Sequence, residues 1–128
     1  MSHWTRVQTQ LVDLEIIKAA LAQLDSGIEV LEKGSVRGHS HTNCDYVIRL
    51  RGHYDVGLKR MAGIGVQPFQ LVWDEYGQHV ERELGQGCEK LLQTYAEIKL
   101  TRDARKQGMR VSKTKGKDGT IHLTVTTS

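Results

Sequence analysis

Residues 3–11 alternate, with Val7 and Thr9 on one side and Trp4, Arg6 and Gln8 on the other, the period of a half-buried strand. Asp13 then has the chemistry of a helix N-cap. Ile17, Ala20, Leu21 and Leu24 recur behind it at helical spacing in a run rich in Ala, Leu and Glu, which predicts an amphipathic helix over Leu14–Leu24. Asp25-Ser26-Gly27 supplies its exit, and Ile28 and Val30 suit a short strand. Residues 34–43 are polar and glycine-containing, and the expectation is an exposed loop more mobile than the sheet.

Alternation returns at Tyr46, Ile48 and Leu50, and again at Tyr54, Val56 and Leu58, so two strands joined through Gly52-His53 form a predicted hairpin. Residues 61–67 contain two glycines and precede Pro68, which makes them a connection to a further strand at 69–73. Val80, Leu84, Cys88, Leu91, Tyr95 and Ile98 then step by four or three residues, predicting one long helix to about Lys106 with Leu91, Tyr95 and Ile98 on its buried stripe. Gly85 and Gly87 weaken its start by about 1 kcal/mol each relative to alanine. Gln107-Gly108 closes the helix, and two strands, beginning at Met109 and at Thr120, flank a turn at 115–119.

Strands that neighbour one another in sequence favour antiparallel pairing over parallel βαβ units. The expected fold class is α+β: a single domain over residues 1–128, built as an antiparallel sheet with two helices packed on one face. The chain order is strand, helix, strands, long helix and hairpin.

Composition narrows the class without naming a reaction. The 128 residues are 38% hydrophobic and 26% charged with one proline, so the chain is neither disordered nor collagen-like, and it can bury a core without a disulfide or metal staple. No apolar run approaches the roughly 20 residues of a membrane span, and the amino terminus lacks the apolar core of a secretory signal. A cytoplasmic protein with Cys44 and Cys88 as free thiols is expected. The formal net charge is +3, and its distribution matters more than its sum. Arg102, Arg105, Lys106, Arg110, Lys113, Lys115 and Lys117 stand against the lone acid Asp103, a candidate surface for an anion or an acidic partner.

Several blocks resemble a known family. Met1-Ser2-His3-Trp4, Asp13-Leu14-Glu15 with Ala19, Ala20 and Leu21, Val36-Arg37-Gly38, Asp45-Tyr46-Val47-Ile48-Arg49, Tyr54-Asp55-Val56-Gly57, Leu71-Val72-Trp73-Asp74 and Asp118-Gly119-Thr120-Ile121 occur in order across nearly the whole chain. In kind and order they are similar to the hypothetical chloroplast reading frame thirty-five family, also called domain of unknown function 1257. The resemblance implies cyanobacterial, plastid or related viral ancestry, and the plastid stroma as location if the gene is plastid-encoded. It implies no catalytic residue.

The candidate chemistry is sparse. His39, His41 and Cys44 place two imidazoles and a thiol within six residues, a possible transition-metal loop that His53 would have to complete, though His-x-His-x-x-Cys is no established structural spacing. Asp55, Asp74, Glu75 and His79 are titratable groups expected near one sheet end, able to act as acid and base only in suitable geometry. Neither a Gly-x-Ser-x-Gly elbow nor a phosphate-cradling loop is present, and the Gly-x-Gly at 63–65 lacks the third glycine and following helix of a dinucleotide site. The leading expectation is a non-catalytic accessory or protein-interaction domain that needs no cofactor. The alternatives are a nucleic-acid-binding protein using the basic carboxyl-terminal stretch and a metal-dependent protein using the His39-His41-Cys44 loop.

Overall fold

A computed structural model describes residues 2–127, so Met1 of the opening block quoted above lies outside the described residues. Its elements in chain order are β1 (Trp4–Gln8), α1 (Leu14–Leu24), β2 (Glu29–Arg37), β3 (His41–Arg49), β4 (Asp55–Arg60), β5 (Phe69–Asp74), α2 (His79–Leu84), α3 (Glu89–Lys106), β6 (Met109–Lys115) and β7 (Ile121–Thr127). The fold is α+β. Five antiparallel strands form the main sheet in the order β1-β5-β4-β3-β2, and β6 and β7 form a separate two-stranded sheet.

The helix α1 begins and ends where its sequence places it. Asp13 caps it by accepting the amides of Glu15 at 2.9 Å and Ile16 at 3.4 Å. Its stripe of Ile16, Ile17, Ala20 and Leu21 is buried against Ile48, Val56, Leu58, Phe69, Leu71 and Trp73 of the sheet, and Val80, Leu84, Leu91 and Tyr95 complete the same core. The Tyr95 hydroxyl accepts the amides of Val12 and Asp13 at 3.0 Å each, which ties the lead-in of α1 to α3. Of the stripe expected on the long helix, Leu91 and Tyr95 are buried and Ile98 is half-buried.

The long helix is divided. Gly85 (φ +81°) ends α2, a 3-10 turn spans Gln86–Cys88, and α3 starts only after Cys88. Glycine at 85 and 87 admits the left-handed backbone this corner needs, so the periodic apolar stripe continues across a break that the spacing alone hides. Val80, Leu84 and Cys88 are still completely buried.

The larger difference lies at residues 34–43. They are not a loop: β2 and β3 run on as a hairpin, paired from Glu29↔Arg49 to Arg37↔His41, with only Gly38–Ser40 left as its tip. The hairpin bends midway. Lys33 has φ +39°, pairing skips from Glu32↔Tyr46 to Gly34↔Cys44, and the amide of Arg60 donates to the Asp45 side chain at 2.8 Å. Past this bend the outer half folds over the sheet face opposite the helices. Val36 lies fully buried there, and a Cβ on Gly57 would collide with Cys44 Sγ and Val36 Cγ2. The main sheet is therefore covered on both faces, by helices on one and by its own outer hairpin on the other. Polar residues along the hairpin are accommodated because a strand's period of two lets Ser35 and Asn43 face water while Val36 faces in.

Candidate functional site

Two aspartates, the first residue of β4 and the last of β5, hold the folded hairpin down. Asp55 and Asp74 are both completely buried, and each lies one residue beyond the pair Val56↔Trp73, so they stand opposite one another on adjacent strands. Asp55 accepts the Arg37 backbone amide at 2.9 Å, the Arg37 guanidinium at 2.8 Å through Nη2 and at 3.0 Å through Nε. Asp74 accepts three amides, from His3 and His39 at 2.8 Å and from Tyr76 at 2.9 Å. Burial pushes the Asp74 pKa up, but these amides and the nearby His39 ring outweigh it and hold the carboxyl below its ordinary value. Glu75 is exposed, and the His79 ring lies against Tyr54 at 4.3 Å. The carboxylates thus meet near one sheet end, with their oxygens engaged by backbone and guanidinium donors. They act as fasteners in this arrangement.

The His39, His41 and Cys44 side chains are separated. His39 sits at the hairpin tip with its ring 5.2 Å from that of Tyr76, and His41 is exposed opposite Arg37. Cys44, three residues from His41 on β3, packs toward Gly57 from the opposite face of the strand. His53 is exposed in the β3–β4 connection. Among the described residues no group of three or more His, Cys, Asp or Glu side chains is placed to hold a metal ion. Burial first, then the charge of Asp45, raises the Cys44 pKa, and burial with the charge of Glu81 pushes Cys88 up to about 12. Neither environment activates a thiolate.

The carboxyl-terminal cations form the remaining candidate. All of Arg102, Arg105, Lys106, Arg110, Lys113, Lys115 and Lys117 are exposed, as the sequence suggests, but strand alternation sorts them. The pairs Val111↔Val125 and Lys113↔Leu123 share the face of the hairpin that turns toward α3, and Arg110 lies on the opposite face. Between α3 and this hairpin runs a groove of about 320 Å³, floored by Ile98, Val111 and Leu123 and edged by Arg102, Arg105 and Lys113. Lys113 Nζ lies 3.0 Å from Glu97, the acid within the groove. Arg102 and Arg105 make no ion pair among the described residues. The site is therefore a groove of mixed character, with an apolar floor of three side chains, Gln23, Glu97 and Thr101 also in its lining, and two guanidinium groups outside any ion pair on its rim. The sequence located the charges; the apolar floor was legible only as alternating Val111, Leu123 and Val125, which has no partner until α3 is in place.

A larger hollow of about 700 Å³ lies between the β1–α1 connection and α3, with Leu92, Ala96 and Leu100 along the helix. No helix among the described residues is long and apolar enough to cross a membrane. No curated protein and no solved structure matches the chain. The family model described as protein of unknown function (DUF1257) matches residues 20–124, which takes in both aspartate fasteners, the folded hairpin and the cationic groove, and the chain belongs to that family.

Proposed function

We propose that this chain is a small non-catalytic interaction domain that takes an acidic, amphipathic protein segment into the groove between α3 and the β6–β7 hairpin. The observation that carries the reading is the convergence of Arg102 and Arg105 over the apolar floor of Ile98, Val111 and Leu123. Guanidinium groups bind carboxylates through paired donors, and the floor accepts an apolar side chain from the same segment. Binding of this kind requires no cofactor. The same reading takes the chain as a cyanobacterial or plastid protein working in the cytoplasm or the plastid stroma.

Nucleic acid fits the groove less well. Single strands are held by aromatic stacking as well as charge, and the chain contains no Phe, Trp or Tyr after Tyr95. Arg110 faces away from the groove, which leaves the cations without a continuous track for a phosphate backbone. Parallel titrations decide the matter, using a labelled peptide of alternating Leu and Glu and a labelled single-stranded oligonucleotide of equal net charge. The expected result is peptide binding that weakens with salt and is lost on combined Arg102→Gln and Arg105→Gln replacement, with little affinity for the oligonucleotide. Tighter oligonucleotide binding, with a salt slope flattened by glutamine at Lys113, Lys115 and Lys117, would establish the nucleic-acid reading instead. Binding to neither probe would leave the cations as a solvated face.

A further inference from the structure

The β6–β7 hairpin forms a sheet separate from the main one, and among the described residues no other strand pairs with either of its edges. Its contact with α3 is made by one face and leaves both of its edges unpaired among the described residues. Its two edges differ in chemistry. β6 carries Arg110, Lys113 and Lys115, the kind of charge that keeps an edge from pairing, whereas β7 (Ile121–Thr127) contains no Lys, Arg, Asp or Glu.

The phase of the ladder shows which backbone groups of β7 are open. The Gly116 amide donates to the Thr120 carbonyl at 2.7 Å, so by alternation His122, Thr124 and Thr126 direct their backbone groups to β6. Those of Ile121, Leu123 and Val125 point outward, where no partner meets them among the described residues. The Val125 side chain, 40% exposed, is one of the few large apolar groups left in water.

We propose that a second copy of this chain occupies the β7 edge, β7 against β7 in antiparallel, giving a continuous four-stranded sheet about a two-fold axis. Charge selects this partner. Two β7 edges meet without like-charge repulsion, and Thr side chains on one face pair favourably across the join. The cationic β6 strands become the outermost strands, about 14 Å apart at three strand spacings, well beyond the roughly 8 Å screening length at physiological salt. An acidic segment has no cation to meet on β7, and a β6–β6 pairing would force Arg110, Lys113 and Lys115 of two copies together. The inference is independent of what binds the groove, which remains open on each copy.

Sedimentation equilibrium of the full chain, from low to high micromolar concentration, is the test. The wild type is expected to shift toward twice the chain mass with rising concentration, equally at physiological and at higher salt. Val125→Pro removes an outward-pointing amide while leaving the bonds to β6 intact, and it should hold the chain at single mass with the amide spectrum of the main sheet unchanged. Thr124→Lys keeps every backbone donor and places like charge on both edges, and it too should prevent doubling, which preserves the test if proline loosens the hairpin. A wild type at single mass throughout would overturn the proposal, as would a Thr124→Lys chain that still doubles.

Discussion

Arg37 meets Asp55 twice, with its guanidinium Nη2 at 2.8 Å and its own backbone amide at 2.9 Å. One residue thereby fastens both its side chain and its strand to a buried carboxylate. Its Nη2 also donates to the carbonyls of Leu50 and Gly52, at 3.2 and 2.9 Å, so the strand of the outer layer is tied to the β3–β4 connection beneath it.

Replacing Arg37 with alanine leaves Asp55 buried with the more distant Arg49 guanidinium, at 3.6 Å, as its remaining cation. Removing one partner of a buried pair costs about 3–5 kcal/mol, and the low end is expected because Arg49 stays near. Urea denaturation measures it. A loss of a few tenths of a kcal/mol would show that the fastening contributes nothing to stability.

Gly57 allows the outer hairpin to lie flat on the sheet. In Gly57→Ala the new methyl group meets Cys44 Sγ and Val36 Cγ2, and overpacking of this kind costs about 1–3 kcal/mol. Shortening the overlying side chain with Cys44→Ala should recover part of that cost in the double variant, a coupling that the four-member cycle reads directly. Additive losses would mean that the two layers do not touch there.

Asp74 makes stability depend on pH in a defined direction. Its folded pKa lies below its ordinary value of 3.8, so its contribution is complete above that value and disappears as pH falls through the folded pKa. The stability difference between the wild type and Asp74→Asn should therefore be constant near neutrality and shrink as pH falls below the ordinary value of 3.8 and through the lowered folded value. A difference that stays constant across that fall would remove the amide-held carboxylate from the account. Amide exchange gives a companion reading, because the His39 amide loses its acceptor in the variant and should exchange faster.

How much of this was legible in the sequence follows from the range of the interactions. The helix α1 was readable to its ends because its cap and its stripe lie within a dozen residues. The corner between α2 and α3 was signalled by Gly85 and Gly87, yet the apolar spacing bridged it, since both helices face one core. The outer hairpin reads as a loop in the sequence because its acceptors, Asp55 and Asp74, lie far along the chain from Arg37 and His39. The signal that was available is that each acid directly abuts an apolar run, residues 56–58 or 71–73, where a carboxylate drawn into the interior demands donors. For the groove, the charges were visible individually, and the sorting of Arg110 away from Lys113 follows from the strand period once β6 is recognised.

The bend at Lys33 sets a further condition on β2 and β3. Sliding one strand of a pair by two residues turns no side chain over, so hydrophobic patterning alone rejects odd slips and tolerates even ones. Here the outer half lies across neighbouring strands, and an even slip would carry Arg37 past Asp55 and His39 past Asp74 together. The two carboxylates work as detents, spaced two residues apart along the hairpin, that tell the native alignment from its nearest look-alikes.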